Sequence, residues 1–167
     1  STRVPLIIAG PGIKGNKKIN NLVELVDLYP TIMDLVKIKP PQFLSGKSIV
    51  PMLENSEIII RESALSELQV NRNKGISQGY SIKTNRYRLN QWEYQGLKQH
   101  ELYDHFDDSS ELNNLAGHQD FQNIKDSLIT VLNNRIIAAQ KRPVGLGRQI
   151  DNASPWSEPS RIYSKQK

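Results

Sequence analysis

Nine residues near the start, Val4-Pro5-Leu6-Ile7-Ile8-Ala9-Gly10-Pro11-Gly12, constrain the fold more than any other stretch. A continuous apolar run, rich in β-branched side chains, stops at a Gly-Pro-Gly turn. Such a run predicts a strand buried on both faces, of the kind found inside a parallel or mixed sheet covered by helices. Position 4 leaves no room before it for the neighbouring strands. The chain therefore reads as the back end of something larger. The faces of Val4–Ile8 are expected to be exposed, or covered by a second copy of the chain or by the tail around Trp156.

The 167 residues suffice for one domain or two small lobes. No apolar run reaches the roughly 18 residues of a membrane span, and no signal-peptide pattern opens the chain. Cysteine is absent, which excludes disulfides, thiolate metal sites and a cysteine nucleophile. The net charge of +5 does not point to nucleic acid. From Lys141 onward six basic residues face two acidic ones, so the tail carries +4 and the other 140 residues +1. That tail has no aromatic-basic interleaving and reads as a solvated or wrapping extension.

Polar residues 13–20 form a loop, and Leu22–Val26 resumes a β-compatible run. Asp27 is placed to cap a helix with Pro30 in its first turn and Ile32, Leu35 and Val36 on one face; Pro40 and Pro41 end it. Gly46-Lys47-Ser48 resembles the end of a phosphate loop but lacks the earlier glycine and a leading strand, so it reads as a turn into a short helix ending near Leu53. Ile58–Ile60 and Ser63–Leu68 make a second β region. Gly79–Thr84 and Tyr87–Trp92, joined at Asn85-Arg86, read as an antiparallel hairpin with one covered and one wet face. Glu101–Asp104 adds a short strand. Phe121, Ile124, Leu128, Val131, Leu132, Arg135, Ile136 and Ala139 then repeat at helical spacing, with Arg135 alone breaking the stripe. Three sections follow: an α/β piece over 1–54, an antiparallel sheet with a helix over 55–141, and a basic extended tail over 142–167.

In order, Val4-Pro5-Leu6-Ile7-Ile8, Val23–Thr31, Leu44–Leu53, Gly79–Arg88 and Glu101-Leu102-Tyr103-Asp104 closely resemble segments of the sulfatase family, over roughly residues 1–140. The run Gly79–Trp92 is most similar to the iduronate-sulfatase branch. The resemblance implies an α/β fold: the remnant of an alkaline-phosphatase-like core, then a small antiparallel sheet with a covering C-terminal helix. It also implies sulfate-ester hydrolysis by a periplasmic or secreted bacterial parent. There a formylglycine made in a C/S-x-P-S-R motif attacks the sulfur, and a calcium ion held by Asp and Asn binds the sulfate. Metal and cations would neutralise the oxyanion. Motif, calcium ligands and assisting lysine are all expected upstream of the Val4 segment. No catalytic or metal-binding residue is therefore assigned, and calcium and formylglycine are expected of the parent only.

Local candidates are weighed on their chemistry. His100 and His105 are five apart across a strand, on opposite faces, with no third ligand spaced to join them. Asp104, Asp107, Asp108 and Glu111 lack the glycine and length of a calcium loop, and match a family turn with Ser109 in place of proline. Gln69, Arg72, Arg88 and Trp92 are the substrate-binding candidates. The family's C-terminal subdomain borders the substrate cleft, and a Trp with nearby Arg suits a pyranose carrying sulfate or carboxylate. The competing reading makes Trp92 a hairpin anchor and the arginines solvated. The expected function is a scaffold and substrate-selecting wall, inactive alone, whose partners are the upstream catalytic region, a sulfated carbohydrate, and a second copy through the exposed strand. A non-catalytic sulfated-carbohydrate-binding or assembly module is the alternative from another class.

Overall fold

The computed structural model describes residues 4–72 and 75–140, without the side chain of Arg72. Four antiparallel strands in sequential order form the sheet: β1 (Ala64–Arg72), β2 (Gly75–Lys83), β3 (Tyr87–Tyr94) and β4 (Leu97–Asp104). Strand side chains alternate between faces, so register decides which residues meet. Leu65, Ile82, Leu89 and Leu102 fall opposite one another, one per strand. Against this row lies α3 (Gln122–Gln140), presenting Leu128 and Leu132. Ile82, Leu89, Leu102 and Leu132 are completely buried, each stabilising the fold by roughly 1.5–3 kcal/mol. Phe121, Ile124, Val131 and Ile136 pack around them. The expected hairpin, the Glu101–Asp104 strand and the helical stripe are all present.

Before the sheet the chain is less regular. A 3₁₀ turn at Leu25–Asp27 leads into α1 (Leu28–Leu35), and α2 (Val50–Glu54) follows. Ile49 and Met52 are buried. Four expectations are corrected here. Val4–Ile8 is not a strand: no described strand lies beside it to complete its hydrogen bonds, and Ile7 is 89% exposed. Neither Leu22–Val26 nor Ile58–Ile60 is a strand, for the same reason. Asp27 does not cap α1 with its side chain. Its carboxylate is taken by distant partners, described next.

Candidate functional site

Two side-chain assemblies stand out among the described residues, one gathered on a buried arginine and one on the outer face of the sheet. The first centres on Arg61, buried at the entry to the sheet. Its Nε donates to Asp27 Oδ2 at 2.7 Å, its Nη2 pairs with Asp27 Oδ1, and its Nη1 lies 3.0 Å from Glu24 Oε2. Glu24 also accepts from the Leu65 backbone N–H (2.7 Å) and from Arg135 of α3 (2.5 Å). Asp27 accepts further N–H groups from Glu24 and Lys47. Burial pushes the Asp27 carboxyl up, but the Arg61 hydrogen bonds and the two N–H groups outweigh it and hold the group below its ordinary value. Arg61 is raised in turn, chiefly by Asp27.

Gly46 explains the false phosphate loop. A Cβ there would sit 1.9 Å from the Val26 carbonyl oxygen. Glycine lets the turn close on the chain before α1, so that Lys47 N–H reaches Asp27 at 2.8 Å. A shallow cavity of about 460 Å³ beside this hub is lined by Lys47, Ile59, Ile60, Arg61, Glu62, Ser63 and Arg135. The sequence hinted at it only through Arg135, the lone charge in the α3 stripe.

The second assembly lies on the sheet face turned away from α3. Arg88 and Trp92 of β3 share that face, because they are an even number of residues apart. Trp92 registers with Gly79, and its six-membered ring occupies the space above that glycine; a Cβ would meet Cζ3 at 2.6 Å. The indole is thus seated on backbone, half-buried and partly open. Arg88 pairs across the strands with Lys83 on one side and Tyr103 on the other. Its Nε lies 3.0 Å from Glu111 Oε1, which also receives His105 Nε2 at 2.7 Å. Glu111 holds a left-handed backbone (φ 60°), uncommon for a residue with a Cβ, in a turn that its N–H closes on the Asp108 carbonyl at 3.3 Å. Burial and the neighbouring Arg88 lower the Lys83 ammonium to about 8.

The other two candidates are not gathered with these. Gln69 falls on the α3 side of β1, in line with Leu65 and opposite Gln78. Arg72 closes β1 opposite Gly75. His100 bonds Gln91 Oε1 at 3.1 Å on the α3 side. Asp104 is held low by Arg86, which grips both its oxygens, and by the Phe106 N–H. The tail requires a further correction: Ser157-Glu158-Pro159-Ser160-Arg161 has the C/S-x-P-S-R form, so a string of that form stands within this chain. It follows α3 instead of preceding the Val4 segment, and it lies outside the described residues. Among the described residues no group of three or more His, Cys, Asp or Glu could hold a metal. They do not fit a calcium site.

This architecture defines the C-terminal part of a sulfatase. The model of the family described as N-sulphoglucosamine sulphohydrolase, C-terminal, matches residues 1–138, and the chain belongs to that family. It is 37% identical over 123 residues to arylsulfatase K of Canis lupus familiaris and 35% identical to the Homo sapiens enzyme, covering 70% of this chain and 23% of each relative. The chain thus spans about a quarter of those relatives' length. The structure of BT1596, a 2-O GAG sulfatase, superposes with a TM-score of 0.69 at 27% identity, over 86% of this chain and 31% of that one. BT4656, solved in complex with its substrate D-glucosamine-2-N,6-O-disulfate, shares the fold at 24% identity and a TM-score of 0.60, over 70% and 24% respectively.

Proposed function

We propose that this chain is the scaffold and substrate-selecting wall of a sulfate-ester hydrolase, and that alone it hydrolyses nothing. The observation that carries this is the surface of residues 4–60. Twelve of the eighteen exposed large hydrophobic side chains among the described residues lie there, from Val4 to Ile59. Apolar surface on that scale marks a partner face. Its occupant is the upstream catalytic region of the same protein, with a second copy of the chain as the competing occupant. That region supplies calcium and formylglycine in an exported, bacterial parent, as the family resemblance implies.

The sheet supplies selection. Arg88 offers a planar, permanently charged fork for sulfate or carboxylate, and Trp92 an apolar ring for a sugar. Gln69 and Arg72 stand apart on β1 and would meet substrate at that edge of the sheet. The disulfated glucosamine in complex with BT4656 is in keeping with this substrate class. A non-catalytic carbohydrate-binding module is the second reading, favoured by the open Trp92 face itself.

The test is to incubate the chain with calcium and a sulfated oligosaccharide and assay free sulfate. None is expected, and the Ser157→Ala variant is expected to behave identically. Calcium-dependent release by the chain, abolished by Ser157→Ala, overturns the reading.

A further inference from the structure

The open sheet face carries more than Arg88 and Trp92. Between them stands Asn90, whose Nδ2 donates to Glu101 Oε2 at 2.9 Å across β3 and β4. Tyr103, two residues beyond Glu101 on the same face, stands beside the same carboxylate; burial and then the Glu101 charge raise its phenol. Beyond Tyr103 come Arg88 and Lys83, directly opposite each other. All six side chains are half-buried: neither sunk in the core nor fully solvated.

The order of chemistries along this line is specific. At one end an indole, seated on Gly79, offers apolar surface to the C–H face of a ring. Asn90 and Glu101, held by each other, keep further acceptor and donor capacity for hydroxyl groups. The Glu101 carboxylate accepts from hydroxyls and repels a sulfate placed at the same spot. Four residues along β3 from Trp92, roughly 13 Å away, stand Lys83 and Arg88; Glu111 holds Arg88 by its Nε, and the two cations against that one carboxylate leave a net positive charge that attracts an anion. That distance is more than one sugar ring spans, so two adjacent rings fit where one does not.

We propose that this face binds a pyranose with free hydroxyls inside an acidic oligosaccharide. Its ring lies against Trp92, its hydroxyls meet Asn90 and Glu101, and the carboxylate or sulfate of the adjoining residue meets Lys83 and Arg88. This rests on the reading of the chain as a substrate wall, and adds what the wall selects: an unsulfated ring beside an acidic one. Asn90, Glu101 and Lys83 join the recognition set.

The experiment titrates the whole chain with an unsulfated tetrasaccharide of alternating glucuronate and N-acetylglucosamine, following the backbone N–H groups of β2, β3 and β4 by NMR, which remain in every variant. The same tetrasaccharide, N- and 6-O-sulfated on each glucosamine, is the comparison. Saturable binding of the unsulfated sugar is expected, weakened about tenfold in Trp92→Ala. Glu101→Gln is expected to weaken the unsulfated sugar and strengthen the sulfated one, and Arg88→Gln to weaken both. If Trp92→Ala does not fold, the isosteric Glu101→Gln decides. Binding of the sulfated sugar alone, unchanged in Glu101→Gln, overturns the inference and leaves the wall reading standing. No saturable shift with either sugar overturns it too. Sulfate release by the chain strikes at the wall reading alone, so the two failures are distinct.

Discussion

Residues 4–60 and residues 63–140 are built on opposite principles. The later region closes on itself: Leu65, Ile82, Leu89 and Leu102 in one row, with Leu128 and Leu132 of α3 set against them. The earlier region buries Ile49 and Met52 but leaves Val4, Leu6, Ile7, Leu25, Val26, Ile32 and Val36 open. Polar contacts hold it instead: Asp27, Thr31 and Arg61 are buried, and Asn21 and Lys17 bond carbonyls more than thirty residues away. A region that keeps its apolar side outward and its ion pairs inward is held chiefly by charge and not by a core of its own. The sheet and α3 supply their own interior.

Substitutions can break or sharpen this contrast. Arg61→Ala is expected to have the largest effect, about 3–5 kcal/mol of stability in chemical denaturation, because Asp27 and part of Glu24 lose their buried counterion. A small effect would mean that the earlier region is not fastened by charge. Leu102→Ala, in the middle of the closed core, is expected to cost about 2–5 kcal/mol, with the loss set by the cavity it leaves.

Acid should then separate the regions further. The folded Asp27 carboxyl titrates below its ordinary 3.8, so its contribution is fully present above that value and is lost as pH falls through the lower folded value. Circular dichroism at falling pH is expected to show the loss below 3.8, and Asp27→Asn to remove that part of the acid transition. Asp104, in the later region, is held low in the same way by Arg86, so the part of the acid transition removed by Asp27→Asn is what belongs to the earlier region.

Gly79→Ala is expected to cost about 1–3 kcal/mol by pushing the Trp92 ring off the sheet, read as a shift in indole fluorescence together with a lower Tm. Ile7→Ser closes the series. With that side chain open, a change within about 0.5 kcal/mol is expected for the isolated chain. A large loss would show that Ile7 is covered in solution.

Legibility in the sequence followed the same division. The β2–β3 hairpin was readable because large and polar residues alternate through Tyr87–Trp92, and α3 because its apolar residues recur at three and four. Both patterns report a region that packs on itself. Val4–Ile8 and Leu22–Val26 misled for a physical reason: an apolar run records that burial is required, not which neighbour provides it. Asp27 looked like a cap because its true partner stands 34 residues away. Of the site, the shared face of Arg88 and Trp92 followed from their even spacing. Gln69 was drawn to the same site only because register, which puts it on the α3 side, cannot be read from one strand. The meeting of Asn90 with Glu101 required the β3–β4 pairing.

Glu24 joins the start of β1 to α3 through Arg135, a contact spanning 111 positions. In kinetic terms a closure of that length is late: sheet and helix must both be in place before the two side chains meet. Interactions made after the transition state slow unfolding without hastening folding. Arg135→Gln is therefore expected to leave the refolding limb of a chevron unchanged and to raise the unfolding rate. The clasp then acts as a brake on release of the N-terminal section from the sheet and α3.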